Sequence, residues 1–373
     1  VDEQVDEKGA EEPCSAGTPT GLGRGSSAEA APVGDQLSAL SCELEGPRQD
    51  VASHSVEGPR MSPVGSPHEP VLLAEVVALA EGLPAGLLAD LTVGAGGHAA
   101  ALLDAERERE LVGIDRDQEA LRIAALRLAP FGSRCRLVHA TFDQVSEVLR
   151  GERVALALAD LGMSSMQVDD ARRGFSYRFD GPLDMRMDQG SGGPTAKDLV
   201  GSLGEAELAA LLRAGGEDRF ARRIARALVA ARPIETTGEL AEVVRRALPA
   251  TVRAHRHPEA RTFQALRIAV NDELGMLERA LRALVDLLVP GGVIAVLTYH
   301  SGEDRLTKAV LRQAATTGCH CPLGPSCRCE ARPVLEARLG VRRPGPEEVA
   351  ANPRAASAHL RFGRRLSESR ADG

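Results

Sequence analysis

The stretch Leu87–Leu103, LLADLTVGAGGHAAALL, decides how the chain is read. An apolar run ends in an acid, passes through a glycine-rich turn, and continues with Ala and Leu at helical spacing. That is the pattern of a buried strand, a tight loop and a helix. A helix opening on such a loop presents free backbone N–H groups and the positive end of its dipole, which suits an anionic or nucleotide-like ligand.

The pattern repeats outward from this unit. LVGIDRD is a second strand ending in acids, DQEALRIAALRLAPFG a helix with a stop signal, CRLVHATF a third strand and VALALADLGMSS a fourth. Continuous apolar strands alternating with helices predict an α/β fold, a parallel doubly wound sheet covered on both faces. The alternation then stops. Residues 171–258 are Arg-rich and read as mostly helical, and sheet order resumes with TFQALRIAVNDELGMLERALRALVDLL, a VPGG turn and the strand VIAVLTYH. The expected organisation is a tail over 1–66, an α/β domain over 67–170 and 259–373, and a helical insertion over 171–258.

Composition sets bounds on partners. The chain has 373 residues, and an apolar content of 43% supports a substantial core. The net charge of −8 belongs to residues 1–66, where 12 acids face 4 bases; the rest carries 41 of each. A polyanionic partner is therefore not excluded. The first 66 residues, rich in Gly, Pro, Ser, Ala and Glu and without periodicity, read as a disordered tail. They show no basic start followed by an apolar core, so they are not read as a secretory leader. No run of about 18 apolar residues occurs, so no membrane span is expected. Cysteine usage indicates a reducing compartment, and a cytoplasmic location is expected. Four thiols cluster at Cys319, Cys321, Cys327 and Cys329. Thiolates suit tetrahedral zinc, but C-x-C is a poorer chelate than C-x2-C, so an ordinary loop is expected and zinc is the alternative. Oligomeric state is not legible.

In doubly wound sheets ligands sit at the carboxyl ends of the strands. Gly94 and Gly96 allow close approach of backbone to ligand, and Gly97 opens the helix. Asp115 ends the second strand about twenty residues on, where an acid suits ribose hydroxyls. The loop is G-x-G-G rather than the dinucleotide G-x-G-x-x-G, and Asp90 stands four residues before it. An acid there suits a positive charge, such as the ammonium of S-adenosylmethionine. Asp160, at the end of the fourth strand, supplies what amine methylation needs. An exocyclic amine is a poor nucleophile because its lone pair is delocalised into the ring. A carboxylate that accepts its N–H bonds favours the pyramidal form and tolerates the developing positive charge. The plainer reading makes Asp160 and Asp115 caps of their loops. Gln167, seven residues after Asp160, is placed to touch ligand or substrate.

Eight blocks in order, among them DLTVGAGGH, GIDRDQEAL, RGFSYRFDGPLDMRMD and RTFQALRIAVNDEL, carry a resemblance to the bacterial 16S ribosomal RNA cytosine-N4 methyltransferases, from about His68 to Arg365. The resemblance implies S-adenosylmethionine as methyl donor and a class I (Rossmann-like) methyltransferase fold with an inserted helical domain. It implies as target the N4 amine of a cytidine in the decoding centre of small-subunit rRNA. It places cofactor contacts on Gly96, Gly97, His98, Asp115, Phe142, Asp160 and Gln167, with Phe142 against the adenine or simply in the core. Three positions depart from the family's pattern. Tyr299 and Gly302 stand in YHSGEDR where the family has FHSLEDR, Met166 stands where Pro precedes the glutamine, and Glu259 stands where Ala is common.

His300 and Asp304, past the fifth strand, are expected to face the same cleft and to position the cytidine or accept a proton; a structural pair is the alternative. For RNA contact, Arg219, Arg222, Arg223 and Arg226 fall at i, i+3, i+4, i+7 and so share a helix face. Residues 171–258 carry a net charge of +4 and residues 328–365 a net of +5. Such faces suit phosphates, although most are merely solvated. Arg172, Arg173 and Arg186 are the candidates for the target cleft. Trp is absent, so base stacking falls to Tyr177, Tyr299, Phe175, Phe179 or Arg planes. A target amine must leave its stack to reach the donor. A DNA amine methyltransferase is disfavoured because DLGMSS lacks its Pro-Pro-aromatic run, and a nicotinamide enzyme because of the glycine spacing. An RNA-binding factor with a vestigial donor site is the alternative from another class.

Overall fold

The computed structural model describes residues 70–163, 168, 170–190, 192–253, 257–318 and 332–367. The acidic tail, Gln167 and the four clustered cysteines lie outside the described residues.

Strands β1 (Leu87–Asp90), β2 (Leu111–Asp115), β3 (Cys135–His139), β4 (Val154–Asp160) and β5 (Leu288–Thr298) alternate with helices α1 (Leu73–Ala80), α2 (Gly97–Ala105), α3 (Gln118–Leu128) and α4 (Val145–Leu149). After β4 come α5 (Ala196–Ser202), α6 (Glu205–Ala214), α7 (Ala221–Ala230), α8 (Thr237–Ala247), α9 (Ala250–Arg253), α10 (Ala260–Val270) and α11 (Glu273–Leu287). The chain then passes through β5, α12 (Ser301–Thr316), β6 (Gly340–Arg342), α13 (Pro346–Ala351) and β7 (His359–Arg364). The sheet order is β3-β2-β1-β4-β5-β7-β6, with the first five strands parallel and β7 antiparallel to β5 and to β6. This is the expected Rossmann-like, mostly parallel, doubly wound α/β fold. Strand order reverses between β1 and β4, so a crevice opens at their carboxyl ends.

Alternation across the pleat sorts side chains onto two cores. Along β4, Val154, Ala157 and Ala159 join the cluster holding Leu277 and Leu281 of α11 and Leu311 of α12. Ala155, Leu156 and Leu158 join the opposite cluster, with Val76 of α1, Leu102 of α2 and Leu121 of α3. A third cluster binds the helical segment together, with Leu208, Leu212, Ile224, Leu228, Leu240 and Val244 at its centre. It runs past residue 258: Phe263 and Leu266 of α10 belong to it.

Two readings of the sequence change. The segment from Thr262 to Leu288 is not one helix: Asn271 ends α10, and Asp272 takes a left-handed backbone (φ 46°) before α11 begins. The antiparallel strands β6 and β7, short and without a distinct apolar period, were not expected. Asn271 explains the break. It is 3% exposed, donates Nδ2–H to the Met185 and Arg267 carbonyls (2.8 and 2.9 Å), and accepts the Met187 N–H at 2.9 Å. Arg116, next to the end of β2, donates to the Asn271 carbonyl at 3.3 Å. One amide thus ties the 185–187 segment to the helix break and to the sheet.

Removing it strands a buried donor and acceptor. Asn271→Ala is expected to destabilise the protein by about 3 kcal/mol in urea unfolding; a loss below about 1 kcal/mol would show that water replaces the amide.

Candidate active site

The three strand-end acids converge on the crevice because β1 lies between β2 and β4 and ends two residues short of both, Asp90 standing in register with Gly113 and Leu158. The turn after β1 links them. Thr92 donates its N–H to Asp90 Oδ1 at 3.2 Å, and its Oγ1 accepts the Asp160 N–H at 2.6 Å. Gly94 donates its N–H to Asp115 Oδ2 at 2.8 Å, and Asp117 donates to Asp115 Oδ1 at 2.9 Å. The backbone of the glycine turn is therefore spent partly on the acids themselves. Gly96 is left-handed (φ 78°) and precedes α2. A Cβ on Gly97 would come within 2.5 Å of Pro70 Cγ, and one on Gly96 within 3.2 Å of Leu128, so both glycines serve helix packing. Gly94 (φ 52°) has only Thr92 O within 4 Å of an added Cβ, at 3.8 Å, and keeps the open face expected of a ligand loop.

Burial sets the electrostatics. Asp90 is 1% exposed, and burial pushes its carboxyl up to about 8; the Thr92 N–H opposes this, while Asp160 and Asp115 add to it. Asp115 is raised by burial against the pull of the Asp117 and Gly94 N–H groups. Asp160 is surrounded by protein yet 26% of its side chain stays open, as at the floor of a cleft. Burial raises its carboxyl, with His98 and Tyr299 pulling it down. The Tyr299 hydroxyl donates to Asp160 Oδ1 at 2.7 Å, and His98 Nδ1 lies 3.6 Å from Asp160 Oδ2. His98, 5% exposed, donates Nε2–H to the Val71 carbonyl at 3.0 Å, since a carbonyl can only accept. Phe142 begins a short 3-10 turn after β3 and packs against the core on the α11 side.

His300 and Asp304 are not free groups in this cleft. His300 caps α12: its Nδ1 accepts the N–H groups of Gly302 and Glu303 at 3.2 and 3.3 Å. Its proton therefore sits on Nε2, which lies 3.1 Å from Glu303 Oε1. Glu273, His300 and Glu303 bring ligand-type atoms within 4.8 Å of one another, but a ring protonated at Nε2 offers a cation no lone pair there. Asp304 is held by Arg361 of β7 through two bonds of 2.6 and 2.9 Å, with His359 Nδ1 at 3.2 Å. Arg361 first, with burial opposing, draws its carboxyl below the ordinary range, which makes it a poor proton acceptor. Both residues brace the loop after β5. Thr92 and Glu303 were not singled out as site residues, and Tyr299 was expected only as a stacking surface; the Asp-x-Thr turn was the available signal for Thr92.

The arginines divide. Arg173 is engaged by Asp117 (3.0 Å) and the Met187 carbonyl (2.6 Å), and Arg186 pairs with Asp184 through two bonds of 2.8 Å. Both hold loops through these contacts. Arg172 pairs with Asp170 but stays 88% exposed. Arg222, Arg223 and Arg226 share the exposed face of α7, opposite buried Ile224 and Leu228, while Arg219 lies in the turn before that helix, its guanidinium 5.0 Å from the Phe220 ring. Arg226 approaches Glu205 at 3.3 Å. Among the stacking candidates Phe175 is buried, Tyr177 packs on His257 and Phe263, and Phe179 is 53% exposed.

Fold and crevice together define a Rossmann-like α/β protein with an acidic, part-buried ligand site at its topological switch point, suited to a cationic ligand that carries a ribose. The chain belongs to the MraW methylase family, whose model matches residues 65–366. It is 46% identical over 326 residues to a protein of Pseudarthrobacter chlorophenolicus named ribosomal RNA small subunit methyltransferase H, covering 83% of this chain and 98% of that one. Proteins of the same name from Acidothermus cellulolyticus and Solidesulfovibrio magneticus are each 48% identical, over 81% and 82% of this chain and 95% and 97% of theirs.

The raised Asp90 fixes a sign. Its folded pKa, about 8, lies above the ordinary 3.8, so the folded state holds the proton more tightly and stability falls as pH rises from about 4 to about 8. Asp90→Asn is expected to flatten this slope and to stabilise the ligand-free protein at pH 8 relative to pH 6. Equal slopes in urea unfolding of the two proteins would show that Asp90 is not held protonated.

Proposed function

We propose that this protein transfers a methyl group from S-adenosylmethionine to the exocyclic N4 amine of a cytidine in the decoding centre of 16S rRNA, in the small ribosomal subunit and in the cytoplasm. The observation that carries the reading is Asp160. It ends β4 with one carboxylate oxygen fixed by Tyr299 and a side chain that stays partly open at the cleft floor, on the strand next to that of Asp90. The names of the relatives support rRNA of the small subunit as substrate. The cytidine N4 assignment rests on the sequence resemblance and on the amine chemistry that Asp160 serves. No helix among the described residues is long and apolar enough to cross a membrane.

The residues present fit the donor. Asp90, buried among charges of its own sign, is relieved by a ligand ammonium. Asp115, already oriented by two backbone N–H groups, has lone pairs left for ribose hydroxyls. Gly94 keeps the turn open, Gly96 and Gly97 bring α2 close behind it, and His98 underlies Asp160. The sequence resemblance assigns Phe142 to the adenine and Gln167 as a further contact. S-adenosylmethionine supplies an activated methyl group on a sulfonium. The chain's part is to hold the amine: Asp160 accepts N–H bonds from it, keeps its lone pair available, and stabilises the positive charge that grows on nitrogen. The exposed arginines of α7, with Arg172 and Arg219, supply phosphate contacts, and Phe179 an exposed stacking face.

The test is transfer of labelled methyl to small subunits lacking the modification, with the nucleoside identified by mass spectrometry. N4-methylcytidine at one decoding-centre position is expected. Donor binding without incorporation would instead favour an RNA-binding factor with a vestigial site. Asp160→Ala is expected to reduce turnover by roughly two to three orders of magnitude while donor affinity changes only a few-fold; parallel loss of both would count against amine activation.

A further inference from the structure

We propose that Tyr299 is a positioning residue for methyl transfer: its hydroxyl fixes Asp160 so that Oδ2 is the oxygen left for the target amine. The inference rests on the reading of Asp160 given above and adds a residue that does not itself touch the reacting atoms.

Three contacts hold Tyr299 in place. Its hydroxyl donates to Asp160 Oδ1 at 2.7 Å, and its N–H donates to Glu303 Oε2 at 2.8 Å. Its ring lies on Gly162: a Cβ there would fall 3.0 Å from Tyr299 Cδ2. The glycine two residues after Asp160 thus makes room for the ring that restrains Asp160. The opposite oxygen faces a different environment. His98 spends Nε2–H on the Val71 carbonyl, and its Nδ1 lies 3.6 Å from Asp160 Oδ2, beyond a hydrogen bond. Tyr299 fixes the plane of the carboxylate through Oδ1. Among the described residues no hydrogen bond competes at Oδ2 with an N–H entering the cleft.

The same contact bears on ionisation. Charged and titratable groups reach Asp160 from several elements: His98 of α2, Glu303 of α12, Asp90 of β1, and Tyr299 itself. Burial, with Glu303 adding to it, favours the protonated carboxyl, which cannot accept through both oxygens; His98 and the tyrosine hydroxyl oppose this. Burial and Asp160 together push the Tyr299 phenol upward, so it remains a donor throughout the working range.

Tyr299→Phe keeps the ring on Gly162 and removes only the hydroxyl. Single-turnover methyl transfer to unmodified small subunits is measured for both proteins between pH 6 and pH 9, with donor affinity and thermal melting alongside. At pH 7 the variant is expected to be slower by roughly tenfold, with its acid limb displaced to higher pH, donor affinity within about twofold and an unaltered melting temperature. An independent readout is the carboxyl carbon resonance of Asp160, identified by difference with Asp160→Asn in the donor-free protein. Its midpoint is expected to rise in Tyr299→Phe. A wild-type rate, an unmoved acid limb or an unmoved midpoint would overturn the proposal while leaving the methyl-transfer reading intact. Rate and donor affinity falling together would also overturn it, by showing a purely structural role. A wild-type protein that forms no N4-methylcytidine would overturn both.

Discussion

Three carboxylates are gathered where β1 parts from β4, and among the described residues the charges that reach Asp90 are those of Asp160 and Asp115, both of its own sign. An ionised carboxylate in such a place is unfavourable unless it is hydrogen-bonded or paired. The fold compensates in part, with the Thr92 and Gly94 N–H groups, the Tyr299 hydroxyl and the His98 ring. What remains is a deficit of positive charge in a site shaped by a doubly wound sheet. The turn, the packing glycines and the braced loop after β5 all hold this deficit in place. Perturbed carboxyls of this kind cluster where chemistry occurs, because groups that ionise freely elsewhere are kept poised there.

The helical segment is joined to this site through polar contacts at the strand ends. Arg173 reaches Asp117, which caps α3 two residues beyond Asp115, and Asn271 holds the 185–187 backbone. A part-buried ion pair of this kind adds little net stability, but losing one partner leaves a charge without compensation. Asp115, the acid proposed for the donor ribose, and the segment that carries the exposed arginines therefore share a boundary. On the far side, Glu259, at 0% exposure, is paired with Arg245 at 2.8 and 3.2 Å. The acid that replaces the family's small residue is thus met by a cation on α8.

Local pattern made much of this legible. An apolar run ending in an acid is readable three times, and Asp90, Asp115 and Asp160 stand at strand ends as that pattern implies. The exposed face of α7 follows from helical spacing. Partner choice over long separations was not legible. Arg361 lies 57 residues from Asp304 and Arg173 lies 56 from Asp117, and no spacing rule connects such pairs. The capping role of His300 was hidden for a related reason: it appears only once the two N–H groups of α12 point at the ring. The break at Asn271-Asp272 was hidden because the apolar period continues through it, while the buried amide responds to a segment more than eighty residues away.

The deficit of positive charge at Asp90 is tested most directly by calorimetric titration of the donor-free protein with S-adenosylmethionine at pH 7, in buffers of different ionisation enthalpy. If the ligand ammonium ionises the protonated Asp90, binding is expected to release about one proton, and Asp90→Asn to release none. Binding with no proton released by the unaltered protein would contradict it.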